Sequence, residues 1–108
     1  MTMYIWLDDI RDMPKSALER YDRCVHTRSV SQTKETITAA EAEGVENYVF
    51  DLDHDLGDYA PEGGDAVKLV LWLIETGRNN SHYKVSLHTA NPVGRENMQA
   101  LVDRYWEE

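Results

Sequence analysis

The chain has 108 residues, 42% of them hydrophobic and 29% charged, which bounds it to one ordinary globular domain with a single core. Its formal charge of −9 excludes a general nucleic-acid or membrane-surface binder, because phosphate backbones need a positive face. It does not exclude a single nucleotide or one nucleic-acid end, which a local arginine and a bound cation could hold.

Cys24 stands alone, so no disulfide framework is expected and a reducing, cytoplasmic setting is the default. The Met1 end lacks a basic stretch leading into an apolar core, and no signal peptide is expected. The apolar stretch Leu69 to Ile74 is too short to span a bilayer.

Met3 to Leu7 reads as a first strand, and large apolar residues on both parities suit a central strand covered on both faces. Asp8-Asp9-Ile10-Arg11-Asp12-Met13-Pro14 follows as a loop, with Pro14 disfavouring helix at Met13. Lys15 to Tyr21 reads as a short helix. Arg23 to Arg28 is a second strand, more polar and therefore expected at a sheet edge. Ser29 and Gln32 have capping-box spacing. Val30, Thr33, Ile37 and Ala40 then recur at helical spacing until Gly44 stops the helix.

The third strand runs from about Asn47 to Asp53, and an acidic loop continues through Gly57 to the turn Pro61-Glu62-Gly63-Gly64. Asp65 suits an N-cap for a helix from Ala66 to about Thr76, with Gly77 as its stop. That helix has almost no polar side, which implies burial nearly all round or packing against a second subunit in a homodimer. Tyr83 or Lys84 to His88 is the fourth strand. Asn91-Pro92 starts the last helix, whose Met98, Leu101, Val102 and Tyr105 form one apolar stripe. Strands alternating with helices imply right-handed crossovers and a flavodoxin-like three-layer sandwich, its parallel sheet ordered 2-1-3-4.

Three apolar strands end in hydrophilic residues, which places the candidate site at the carboxyl edge of the sheet. The first and third strands are neighbours in this topology, so Asp8, Asp9 and Asp53 converge, with Asp55 a fourth candidate. Like charges so close raise one another's pKa values and call for a cation. Mg²⁺ or Mn²⁺ suits hard carboxylate oxygens. The alternative is that these aspartates are separately solvated and cap turns. His54 and His88 end adjacent strands beside the acidic cluster and could move protons, whereas a lone histidine in a loop is more often structural. His26 and His82 have no such company. Thr89-Ala90-Asn91-Pro92-Val93-Gly94-Arg95 brings a helix N-terminus to the same edge, where Thr89, Asn91, Gly94, Arg95 and Arg11 could hold a phosphate; simple capping and surface arginines are the alternative.

Phe50-Asp51-Leu52-Asp53 is similar to the nucleophile motif of the haloacid dehalogenase superfamily, but His54-Asp55 follows where that motif has Gly-Thr, and a full strand-and-helix unit precedes it. A wider likeness covers nearly the whole chain. Trp6-Leu7-Asp8-Asp9 with Arg11 and Pro14, Leu52-Asp53-His54-Asp55-Leu56-Gly57, Gly64 before an apolar helix, and His88-Thr89-Ala90-Asn91-Pro92-Val93-Gly94-Arg95-Glu96-Asn97-Met98 together resemble the cyclic-phosphate processing receiver domain family, a shortened relative of response-regulator receivers.

The resemblance implies a single truncated receiver-like domain, residues 1–108, lacking the fifth strand and the lysine that ends it. Asp8 and Asp9 fall at a receiver's metal-binding pair, Asp53 at the phosphoacceptor position, and Thr89 at the hydroxyl position ending the fourth strand. His54 and His88 are not standard receiver residues, and Asp51 stands where the family more often has a small residue. The implied function is a metal-assisted phosphoesterase that acts on or binds cyclic phosphates of nucleotides or RNA ends, as in RNA repair. The alternative is a non-enzymatic signalling or adaptor module with Asp53 as phosphoacceptor or metal ligand.

Overall fold

Large apolar side chains at successive positions make β1 (Thr2–Leu7) the centre of the molecule, with Met3 to Leu7 all buried. The computed structural model describes residues 1–107. After β1 come α1 (Lys15–Arg20), β2 (Arg23–Thr27), α2 (Val30–Ala42) and β3 (Asn47–Leu52). A single 3₁₀ turn at Gly57–Tyr59 interrupts the acidic loop, followed by α3 (Ala66–Glu75), β4 (Tyr83–Leu87) and α4 (Pro92–Tyr105). The four strands form one parallel sheet in the order β2-β1-β3-β4. This is the receiver-like α/β topology expected from the alternating elements, and the polar β2 lies at an edge.

Local chemistry explains the element boundaries. Ser29 caps α2 by accepting from the Gln32 N–H, while the Gln32 side chain accepts from the Arg28 N–H. Asn91 caps α4 by accepting from the Gly94 N–H, and Pro92 occupies the first helical position. Asp65 stands at the N-cap position of α3 but its carboxylate does not cap the helix. It accepts instead from the Leu56 N–H at 3.0 Å. The acidic loop is thereby tied to the start of α3, and Leu56 is fully buried beneath it.

The two sheet faces are covered unequally. Met3, Ile5, Leu7, Phe50 and Leu52 pack against Val30 and Ile37 of α2, Leu69, Val70 and Leu73 of α3, and Met98 of α4. On the opposite face a smaller cluster joins Tyr4 and Trp6 to Ala17 of α1. The expected sandwich is therefore lopsided. Six-residue α1 leaves a groove of about 270 Å³ over β3 and β4, bordered by Tyr4, Arg20, Val49, Asp51 and Ser86. The apolar girth of α3 is distributed accordingly: its Leu69, Val70 and Leu73 are in the core, and Trp72 lies beneath the Lys34 and Arg78 cations. Among the described residues no helix is long and apolar enough to cross a membrane.

Candidate functional site at the carboxyl edge of the sheet

Parallel register brings the site together. Leu7 pairs with Leu52, and Leu52 with Leu87. The ladder continues one residue further, with the Asp53 N–H donating to Leu7 O, the His88 N–H to Leu52 O and the Asp8 N–H to Thr27 O. Asp8, Asp53 and His88 thus leave three neighbouring strands at one level. Asp8, Asp9 and Asp53 each offer a carboxylate oxygen within 4.8 Å of the others. Gly57 makes room for this: its φ is +52°, and a Cβ there would lie 2.5 Å from Asp9 Oδ2, so the 3₁₀ turn presses its backbone against the Asp9 carboxylate.

Asp8 is almost fully buried. Its Oδ1 accepts from the Ile10 and Arg11 backbone N–H groups, and its Oδ2 from Arg11 Nε at 3.0 Å and His88 Nε2 at 3.0 Å. Burial opposes the charge on Asp8, but these bonds outweigh it and hold its carboxyl below the usual range. Asp53 behaves in the opposite way. Burial pushes its carboxyl up, the charge of Asp8 adds to that, and the Thr89 hydroxyl and Arg11 only partly offset it. Arg11 Nη2 lies 3.7 Å from Asp53 Oδ1 and donates to His88 O at 3.2 Å.

His88 is rigidly held. Its ring stacks on Trp6 with centroids 3.6 Å apart and planes 5° from parallel. Nδ1 bonds Asp51 Oδ1 at 2.7 Å, and the other Asp51 oxygen accepts from the Tyr4 hydroxyl at 2.6 Å. Burial raises the Asp51 carboxyl, but the His88 and Tyr4 bonds bring it below the ordinary value. Each ring nitrogen of His88 thus lies within hydrogen-bond distance of a carboxylate oxygen. Neither nitrogen is then open to a substrate, so His88 orients Asp8 and is poorly placed to shuttle protons.

His54 is differently placed. Its Nδ1 bonds Asp55 Oδ1 at 2.9 Å, and its ring lies against Gly94, where a Cβ would come within 2.5 Å of Cγ. Asp55 does not join the other aspartates. It is turned toward α4, where His54 and the Asn91 side-chain amide take its oxygens, and it groups with His54 and Asp65. The His54 bond lowers its carboxyl below the usual value.

The anion cradle expected at α4 is smaller than the sequence suggests. Pro92 has no N–H, the Gly94 N–H is used by the Asn91 cap and the Arg95 N–H by Asn91 O, which leaves Val93. Thr89 is buried and its Oγ1 accepts from the Asn91 N–H. Arg95 is exposed. His26 and His82 make structural bonds, to Asp8 O and to Asn47 Oδ1.

Asp51, Trp6 and Tyr4 are the residues that sequence reasoning did not assign to the site. The available signal was a charge in mid-strand between the buried Phe50 and Leu52, on the face shared with Tyr4.

A receiver-like sheet with its acidic residues gathered at the strand ends defines the class of protein. The sequence model of the cyclic-phosphate processing receiver domain matches residues 3–104, and the chain belongs to that family. No curated protein and no solved structure matches it.

The acidic set fits a hard divalent cation: three carboxylates converge, and Arg11 approaches Asp53 no closer than 3.7 Å. Asp8 could join Asp9 and Asp53 through Oδ2 once Arg11 releases it, since a carboxylate has about four acceptor positions and all are taken.

Proposed function

We propose that this domain is a metal-assisted phosphoesterase acting on cyclic phosphates of nucleotides or RNA ends. The observation that carries the reading is the convergence of Asp8, Asp9 and Asp53 beside the Arg11 guanidinium, which supports a cation site next to an anion-binding fork at one strand edge. Asp8, Asp9 and Asp53 would hold Mg²⁺ or Mn²⁺. Such an ion polarises a phosphoryl oxygen and lowers the pKa of a bound water.

The chain's own residues supply the rest. Asp55 orients the His54 ring through Nδ1 and leaves Nε2 to take a proton from the attacking water. The water oxygen bonds to phosphorus, one ester P–O bond of the ring breaks, and the departing ribose oxygen takes the proton that His54 Nε2 accepted from the water. Arg11 and Arg95 are the cations available to the phosphate, and Val93 offers a backbone donor. Asp51 and Trp6 hold His88 so that Asp8 keeps its orientation.

The test is hydrolysis of 2′,3′-cyclic AMP with Mg²⁺ or Mn²⁺, followed by phosphorus NMR, in wild type and Asp53→Asn. Opening to a monophosphate that Asp53→Asn loses by at least about a hundredfold supports the reading. Tight binding without turnover in wild type sinks it.

The second reading, a non-enzymatic receiver with Asp53 as phosphoacceptor, draws on the Thr89 hydroxyl and the Arg11 cation beside that carboxylate. Intact mass after incubation with acetyl phosphate and Mg²⁺ separates the two, because only this reading requires an adduct on Asp53.

A further inference from the structure

We infer that Arg11 couples cation binding to phosphate binding at this site, leaving the acidic cluster for the phosphate as the cluster takes up a divalent cation. The inference rests on the phosphoesterase reading above and assigns one residue the positioning of its anion.

Two groups crowd Asp8 Oδ2, Arg11 Nε and His88 Nε2, each at 3.0 Å. Only one of them is free to go. His88 is stacked on Trp6 and bonded to Asp51, and its side chain is 14% exposed. The Arg11 side chain is 51% exposed, and among the described residues its remaining polar side-chain contacts are Asp53 and a carbonyl, His88 O. Its main chain is fixed at the site by the bond from Arg11 N to Asp8 Oδ1 at 2.8 Å. The guanidinium can therefore swing while its Cα stays.

As it stands, Arg11 serves as the counter-charge of the cluster, spanning Asp8 and Asp53. A divalent cation on the same oxygens competes for those lone pairs and repels the guanidinium at close range. Displaced from two carboxylates, Arg11 needs another acceptor, and a phosphate facing the cluster offers the planar oxygen pair that a guanidinium fork binds best. Without a cation the fork is occupied by Asp8. Without an anion the displaced fork has no partner. Each ligand therefore strengthens the other through Arg11, and linkage requires the effect to be mutual.

The experiment is calorimetric titration of Mg²⁺ into wild type, Arg11→Gln and Arg11→Ala, with and without inorganic phosphate, with circular dichroism to establish that each variant is folded. In wild type, phosphate tightens Mg²⁺ binding by about tenfold. Both variants bind Mg²⁺ about tenfold more tightly than wild type when phosphate is absent, and phosphate then changes their affinity by less than about twofold. Equal Mg²⁺ affinity in all three proteins, or an undiminished phosphate effect in the variants, overturns the exchange and leaves the metal reading standing. No Mg²⁺ binding by any of them overturns the metal reading and the exchange together.

Discussion

Asp51 and Asp53 sit two residues apart and differ in how well the fold tolerates their charge. Asp51 is ionised against two donors, His88 and Tyr4, whereas Asp53 is desolvated beside Asp8 and its carboxyl is raised. A carboxyl whose folded-state pKa is raised costs stability once it is ionised, so at neutral pH the negative charge of Asp53 works against folding. Asp53→Asn is expected to gain on the order of 1 kcal/mol in urea unfolding. Asp51→Ala is expected to lose about 1–3 kcal/mol, because His88 keeps a donor that no longer has a partner. Loss of stability in both variants would show that the Thr89 and Arg11 interactions outweigh the desolvation of Asp53. The sequence placed Asp53 correctly at the strand end. It did not disclose Asp51, whose importance depends on a histidine 37 residues away that the sheet register delivers to it.

At the scale of elements, the start of α4 shows both what was readable and what was not. Asn91 as cap and Pro92 at the first helical position were legible because capping is local chemistry, and the structure has both. The sequence suggests Gly94 as part of an anion cradle, but in the fold it is a contact between two elements. The His54 ring lies where a Gly94 Cβ would be, and no local pattern ties residue 54 to residue 94. Asp65 is a similar case: a good cap by sequence, it is drawn off by the Leu56 N–H of the folded-back acidic loop. Alanine in a helix is normally favoured over glycine by about 0.5–1 kcal/mol, so Gly94→Ala should preserve the fold. At 2.5 Å from Cγ the added methyl must push the imidazole away from its position beside Asp55. We expect normal circular dichroism, a shifted His54 imidazole resonance, and cyclic-phosphate hydrolysis reduced by at least about tenfold. Undiminished hydrolysis with a shifted resonance would remove His54 from the chemistry.

At the scale of the whole molecule, strand order and layering followed from alternating elements, while the thinness of one layer did not, since periodicity reports an apolar face but not how much of it a six-residue helix can cover. That uneven cover leaves the fold dependent on polar joints at its margins. Opposite the candidate site, Glu41 of α2 pairs with Arg78 at 2.8 Å, and the Tyr83 hydroxyl of β4 donates to the same carboxylate. Burial and then the Glu41 bond push the Tyr83 phenol from 10.0 up to about 12. Tyr4 is raised as well, by burial and then its bond to Asp51, and burial raises Tyr48. A phenol favoured in its protonated form by the fold contributes stability that is complete below the unfolded value near 10 and is lost as pH rises through the folded value. The Arg78 bond, with burial opposing it, lowers Glu41, so its contribution has the opposite sign and is lost as pH falls below the ordinary carboxylate range. The domain should therefore hold a stability plateau through neutral pH and weaken between about pH 10 and 12. Tyr83→Phe should flatten part of the alkaline decline, because its phenol no longer has to ionise. Thermal unfolding followed by circular dichroism from pH 7 to 12 checks this. An alkaline decline of the same slope in wild type and Tyr83→Phe would show that the Tyr83–Glu41 joint does not govern it.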